Sequence, residues 1–413
     1  MTTLRVRVAD RGAVVVLTAL VVALLLTGCG GTDREGAAHG GSEAGRSSVD
    51  DAAEPCKLPI ADGRGDVAIG GWPRATERLR ATGEVVATVI MVDFPDAPAI
   101  VSPEDAFAKI APSDGIFDDV SYGRLDYRLE PVMTWYRMSQ PSTAYAPLTS
   151  SFDRHREYIA EAVALADADV DFSSTESLIV LANPDAKGLG EAGPAFTPIS
   201  ADEGIAVDGT VLMNGATSAH DLNHWGAIWL NHEVTHTLGL PDLYAFDGPE
   251  AFPYTGEFGY MGLSNLDANS PGLFAWERWV LGWIDDDQVS CLASPPSVPV
   301  STVLSPLGTA GGSKAVMVAL GPTSVVVAEA RTATGLDAGI RKEGVLVYTV
   351  DSSVESGFGP VRVFPADPAD PAVGFTTFFE APRAVGESVE VEGVRVTVVS
   401  RDGDGFRIEL SAA

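Results

Sequence analysis

The spacing of apolar positions changes along this chain, and each change predicts an element. Residues 84–94 form a β-branched apolar run suited to a buried strand, stopped by Pro95-Asp96. Residues 103–111 suit a short helix entered through Ser102, and Tyr122-Gly123-Arg124 reads as a turn feeding a strand that ends at Trp135. From about 152 to 166 the apolar residues recur at helical spacing; 178–182 is another buried strand, ended by Asn183-Pro184. Residues 210–214 read as a candidate edge strand beside a cleft, and a helix starting near Asp221 to Asn223 runs to Leu238 with Trp225, Ile228 and Trp229 as its apolar face. Strands alternating with helices predict an α+β or α/β domain. After Pro295-Pro296 the pattern turns to short strand-like runs at 315–320, 324–330, 345–350, 388–391, 394–399 and 406–410, broken by Gly, Pro and Asp turns. That region reads as all-β and sandwich-like, with Glu392-Gly393 and residues 402–405 as hairpin turns.

The last turns of the helix ending at Leu238 carry His232-Glu233-Val234-Thr235-His236-Thr237-Leu238-Gly239-Leu240-Pro241-Asp242. His232 and His236 stand one turn apart on one face, so both rings reach one tetrahedral metal, and Glu233 projects beside them toward a metal-bound water. The chain holds six histidines, which makes a chance HExxH match rare. Gly239 permits the left-handed backbone that ends a helix, and Pro241 forbids its resumption. Asp242 then falls where a chain turned at Gly239 brings a third donor back to the metal; the competing reading is a solvated turn residue after Pro241.

This segment resembles the metallopeptidases of the immune inhibitor A type, which belong to the metzincin group. The resemblance implies that His232, His236 and Asp242 hold a single catalytic Zn2+ and that Glu233 is the general base. It also implies that Phe258-Gly259-Tyr260-Met261-Gly262 is a methionine turn supporting the metal from below, with Met261 at its centre. Ala275-Trp276-Glu277-Arg278-Trp279-Val280-Leu281-Gly282-Trp283 resembles the helix closing the catalytic domain, and 329–331 with 344–351 resemble the paired strands that follow, so the likeness spans roughly 83–351. Two positions depart from the pattern: Asp242 stands where many metzincins have histidine, and Thr235 where relatives often have glycine. An aspartate oxygen remains an accepted zinc donor. Tyr244, Tyr254 and Tyr260 are candidates for steadying an oxyanion, and Glu329 and Arg331 read as a structural ion pair.

His220 and His224 also stand four apart, but no glutamate sits between them, and they read as an entry to the helix and not as a second metal site. His39 and His155 read as surface residues. The Asp285-Asp286-Asp287 run reads as a solvated helix end; a Ca2+ site there lacks a defined loop pattern.

Arg5, Arg7 and Arg11 precede an apolar run at 13–26 that is short for a membrane span and reads as a signal-peptide core. Leu26-Thr27-Gly28-Cys29 resembles the bacterial lipoprotein box, which implies cleavage before Cys29 and lipid on its sulfur; the alternative is ordinary secretion. Residues 30–54 are rich in Gly, Ser, Ala and charge, too poor in large apolar side chains to bury a core, and read as a tether. Cys56 and Cys291 then remain as an even pair in an export-bound chain, either bridged or with the Cys56 thiolate blocking the zinc.

The 413 residues, 46% hydrophobic, suffice for two cores, and the net charge of -30 disfavours nucleic acid and anionic lipid surfaces as partners. The expected organisation is a lipoprotein signal peptide at 1–28, a lipid-tethered lead-in at 29–82, a catalytic domain with a mixed sheet and an HExxH helix at 83–293, and a C-terminal β domain at 294–413. The expected function is an extracytoplasmic zinc endopeptidase acting on proteins or peptides, held to the outer face of the cell membrane by lipid. The rival expectation is a lipid-anchored, non-catalytic binding or structural protein whose zinc site is closed by a fourth donor.

Overall fold

The computed structural model describes residues 53–60, 70–247, 253–262, 272–364 and 378–413. The signal-like run, Cys29 and His39 lie outside the described residues. Strand β1 (Gly83–Asp93) lies parallel to β2 (Leu125–Arg137) on one side and to β3 (Ser177–Ala182) on the other. Short β4 (Ala195–Phe196), the hairpin of β5 (Ile205–Val207) and β6 (Thr210–Leu212), and β7 (Gly215–Thr217) follow. The main sheet has the order β2-β1-β3-β7-β4, parallel except for β4 at its edge.

Alternate side chains of β1 serve two cores, as a pleated strand requires. Val85, Ala87, Val89 and Met91 join the cluster on the face carrying the metal helix, while Ile90 and Val92 join the opposite cluster. The first helices, α1 (Pro103–Phe107), α2 (Ile116–Val120) and α3 (Ser142–Tyr145), are short. Ser102 caps α1 by accepting from the Asp105 N–H, the entry its sequence predicts. Helix α4 (Phe152–Ala166), capped by Ser151, covers the second face with Tyr158, Ile159, Ala162 and Val163.

Three local expectations change. The 210–214 run does not edge the main sheet: Thr210–Leu212 pairs only with β5 across Asp208-Gly209, both at positive φ, as a tight hairpin requires. The sheet edge beside the metal helix is β4, whose Ala195 N–H meets Glu233. The metal helix is also interrupted: α5 (Leu222–Trp225), capped by Asp221, ends at Gly226, and α6 (Ala227–Thr237) starts afresh. Gly226 has φ +51, and a Cβ there would lie 2.7 Å from the Lys109 carbonyl oxygen, so glycine alone fits the break. His155 is buried, its Nε2 2.7 Å from Thr217 Oγ1, because it shares the inward face of α4 with Tyr158 and Ile159.

Helix α7 (Ala275–Val280) is wholly buried and leads to β8 (Val289–Leu292). Then follow β9 (Val300–Leu304), β10 (Ala315–Ala319), β11 (Ser324–Arg331), β12 (Gly344–Asp351), β13 (Val361–Val363), β14 (Ser388–Val391), β15 (Val394–Asp402) and β16 (Gly405–Ala412). They form one sheet ordered β13-β12-β11-β10-β8 and another ordered β14-β15-β16-β9. On β11, Val326, Ala328 and Ala330 meet Val396, Ile408 and Leu410 of the second sheet in one cluster, while Val325 and Val327 join the cluster holding Trp276 and the metal helix. The hydrophobic core therefore runs unbroken from the helix-bearing face of the first sheet into the β region. Arg331, fully buried, bonds Glu329 at 2.6 Å and Asp337 at 2.8 Å, and the other Glu329 oxygen accepts from the Ala275 N–H at 2.7 Å. This network fixes the start of α7.

Candidate metal centre

Leu230, Val234 and Leu238 anchor α6 in the core, which turns the opposite stripe, His232 and His236, toward Asp242. The two rings lie 4.6 Å apart between centroids. Gly239, at φ +94, gives its N–H to the His236 carbonyl at 2.8 Å and ends the helix. The returning chain sets Asp242 Oδ1 at 3.0 Å from His232 Nε2 and 3.2 Å from His236 Nε2. Donors arranged tetrahedrally about zinc at 2.0–2.1 Å stand about 3.4 Å apart, so these spacings fit one zinc ion. His236 Nδ1 lies 2.8 Å from the Leu240 carbonyl. A carbonyl only accepts, so Nδ1 carries a proton whatever the charge of the ring, and Nε2 is the nitrogen left to bind an ion. A zinc-binding triad on a helix of a mixed α+β fold is what a zinc-metallopeptidase-like fold provides.

The electrostatics are those of a crowded cradle. Burial opposes the charge on Asp242, yet the two imidazoles hold its carboxyl well below the usual range. Burial also opposes charge on His236, but Asp242, Glu233 and the Leu240 carbonyl outweigh it and raise the ring to about 9; for His232 burial wins and the pKa falls. Glu233 follows His232 in the helix and is largely buried beside the two rings. Desolvation raises its carboxyl to about 8, with the His236 charge and the Ala195 N–H of β4 pulling the other way. A dication among the three donors lowers such a carboxyl again, because positive charge favours the carboxylate.

Of the three tyrosines, Tyr244 stands nearest the cradle, its ring 6.1 Å from that of His232 and its hydroxyl held protonated by burial and by Asp242 and Glu233. Tyr260 is committed to the Ile228 carbonyl at 3.2 Å, and Tyr254 lies under the Arg362 guanidinium and bonds Asp247. Met261 is fully buried in the short turn Tyr260–Gly262, and its carbonyl accepts from the Leu243 N–H at 3.0 Å. The turn thus grips α6 through Tyr260 and the third donor's segment through Met261.

Ser356, in the loop between β12 and β13, is a supporting residue that motif reading misses. Its Oγ accepts from the Asp242 N–H at 2.9 Å, and the Gly357 N–H donates to the Asp242 carbonyl at 3.0 Å. The β region therefore clamps the third donor on both sides of its backbone. Ser356 lies 114 residues from Asp242, and no local signal points to it.

Cys56 and Cys291 are disulfide-bonded with Cα atoms 5.9 Å apart, so Cys56 is no donor to the metal cradle. Asp285 pairs with Arg124, and Asp286 bonds Lys57 at 2.6 Å and the Trp279 indole at 2.8 Å, which gives this acidic run structural partners. His220 and His224 lie 5.1 Å apart between ring centroids at the entry to α6. Comparison with protein-family models finds no match to this chain, and comparison with curated proteins finds none either.

Proposed function

We propose that this chain is a zinc-dependent endopeptidase of the immune inhibitor A, metzincin-like kind, and the convergence of Asp242 on His232 and His236 carries the reading. His232 Nε2, His236 Nε2 and Asp242 Oδ1 would hold the ion. Bound there, zinc lowers the pKa of water to about 7 and polarises a carbonyl.

The chain's own groups do the rest. Glu233, next to His232 in the helix and partly accessible, takes the proton of the attacking water and returns it to the leaving amine. The Tyr244 hydroxyl, protonated and hydrogen-bonded to Asp242, is the group nearest the ion that could turn to steady the oxygen of the attacked carbonyl. Among the described residues no strand pairs with the outer side of β4, so an extended peptide adds to it by backbone hydrogen bonds, with little demand on its side chains. Unstructured proteins are the substrate class this geometry favours. The disulfide removes Cys56 as a fourth donor, which disfavours a closed, purely structural zinc site.

Zinc content and casein hydrolysis of native protein and Glu233→Ala test the reading. The expected result is a loss of about 10²–10⁴-fold in turnover with zinc retained; full turnover in the variant would remove Glu233 from the chemistry. The N-terminal sequence supports export and lipid attachment at Cys29, a reading in which the enzyme sits on the outer face of the cell membrane. Metabolic labelling with a fatty acid, present in native protein and absent in Cys29→Ala, checks this; equal labelling of both contradicts it.

A further inference from the structure

A second trio with zinc-ligand chemistry lies upstream of the catalytic cradle. His220 Nδ1 stands 3.3 Å from Glu191 Oε2, and one donor atom each from Glu191, His220 and His224 lie within 4.8 Å of one another. The first spacing already matches the edge of a zinc tetrahedron, about 3.4 Å. The others would close by rotation of the Glu191 and His224 side chains, both of them exposed.

The backbone beneath the trio is fixed. The His220 N–H donates to the Gly190 carbonyl at 3.2 Å and the Asp221 N–H to the Glu191 carbonyl at 2.9 Å. Asp221 Oδ2 accepts from the Gly193 N–H at 2.7 Å, and the Trp229 indole donates to the Gly193 carbonyl at 2.7 Å. Glu191 is thus delivered to His220 by main-chain pairing on either side of it. A glutamate whose side chain is 82% exposed has water all round as an alternative, yet it folds back onto the imidazole.

We infer that Glu191, His220 and His224 form a second site, for a borderline divalent ion such as zinc, separate from the His232/His236/Asp242 centre. Two imidazoles and one carboxylate suit zinc, cobalt or nickel; calcium and magnesium prefer all-oxygen shells. Three protein donors at the surface leave the remaining positions to water. The site joins two segments that the catalytic reading depends on. Glu191 lies in the strip leading into β4, whose Ala195 N–H faces Glu233, and His220 and His224 flank the entry to α6. An ion there braces the cleft edge against the start of the metal helix.

Equilibrium dialysis against micromolar zinc chloride, followed by elemental analysis, tests the site without any activity readout. Native protein is expected to hold two zinc ions per chain, Glu191→Gln and His224→Ala one each, His236→Ala one, and the His224→Ala, His236→Ala double variant none. Glu191→Gln keeps the shape of the side chain, so its count stands even if His224→Ala loses its fold by circular dichroism. One ion in native protein that Glu191→Gln and His224→Ala both retain overturns the inference, as does a second ion that survives both substitutions. One ion lost from His224→Ala and kept by His236→Ala would instead sink the catalytic reading and leave this site standing.

Discussion

Two clusters in this chain draw on the same donors, two histidines and a carboxylate, and they differ in what surrounds them. In the first, the side chains of His232 and His236 are 5% exposed and that of Asp242 10%; in the second, His220 is 18% exposed and Glu191 82%. The buried trio has a further carboxylate, Glu233, one residue along the helix, and a protonated tyrosine opposite. The exposed trio has Asp221 beside His220, but that carboxylate is committed to the Gly193, Ala219 and Leu222 N–H groups. On the two proposals above, the same ligand chemistry serves two uses: a low-dielectric cradle beside an acid–base group would turn a metal toward catalysis, while a solvent-facing trio would turn it toward bracing. The third donor of the first cluster comes from 10 residues away and that of the second from 29.

The sharpest challenge to this contrast is to weaken the support of the buried carboxylate alone. Asp242→Ala removes a donor and is expected to lower zinc affinity at the buried centre by about 100-fold, with Ser356→Ala following at about tenfold through loss of the clamp on the Asp242 backbone. Competition with a chelator measures both. An Asp242→Ala variant with native affinity would break the comparison by showing that two rings suffice.

His155 sharpens the comparison from another side, because it is a buried histidine with a hydroxyl and no carboxylate for company. Burial lowers its pKa from 6.5 to about 4. Between those values the unfolded chain binds a proton that the folded chain refuses. The stability tied to this residue is thus complete above pH 6.5, declines as pH falls toward 4, and is level below that. At pH 5 the loss is about 2 kcal/mol. Urea unfolding at pH 7 and pH 5 measures it, and His155→Gln should flatten the difference; an unchanged slope in that variant would assign the pH effect elsewhere.

Elements with strong local periodicity were legible from sequence. The helix at Phe152–Ala166 follows from apolar spacing, and the buried strand at Gly83–Asp93 from a run rich in β-branched apolar residues. In the buried centre, helical spacing put His232 and His236 on one face, and Gly239 with Pro241 foretold the turn that returns Asp242. Other signals were present but outweighed. Asp208-Gly209 marks a hairpin, Gly226 marks a break, and the spacing of His155 with Tyr158 and Ile159 marks an inward face. Glu191 and Ser356 had no local signal, because main-chain pairing and a loop between distant strands bring them in, and such contacts are a property of the folded topology.

The central claim is that one zinc ion sits among His232, His236 and Asp242 with a face left open. Anomalous X-ray scattering from crystals of zinc-loaded protein, recorded on both sides of the zinc absorption edge, tests it most directly. The account predicts a peak about 2.0–2.2 Å from His232 Nε2, His236 Nε2 and an Asp242 oxygen, with no fourth protein donor. Absence of a peak there in zinc-loaded protein, or a peak closed off by a fourth side chain, contradicts it.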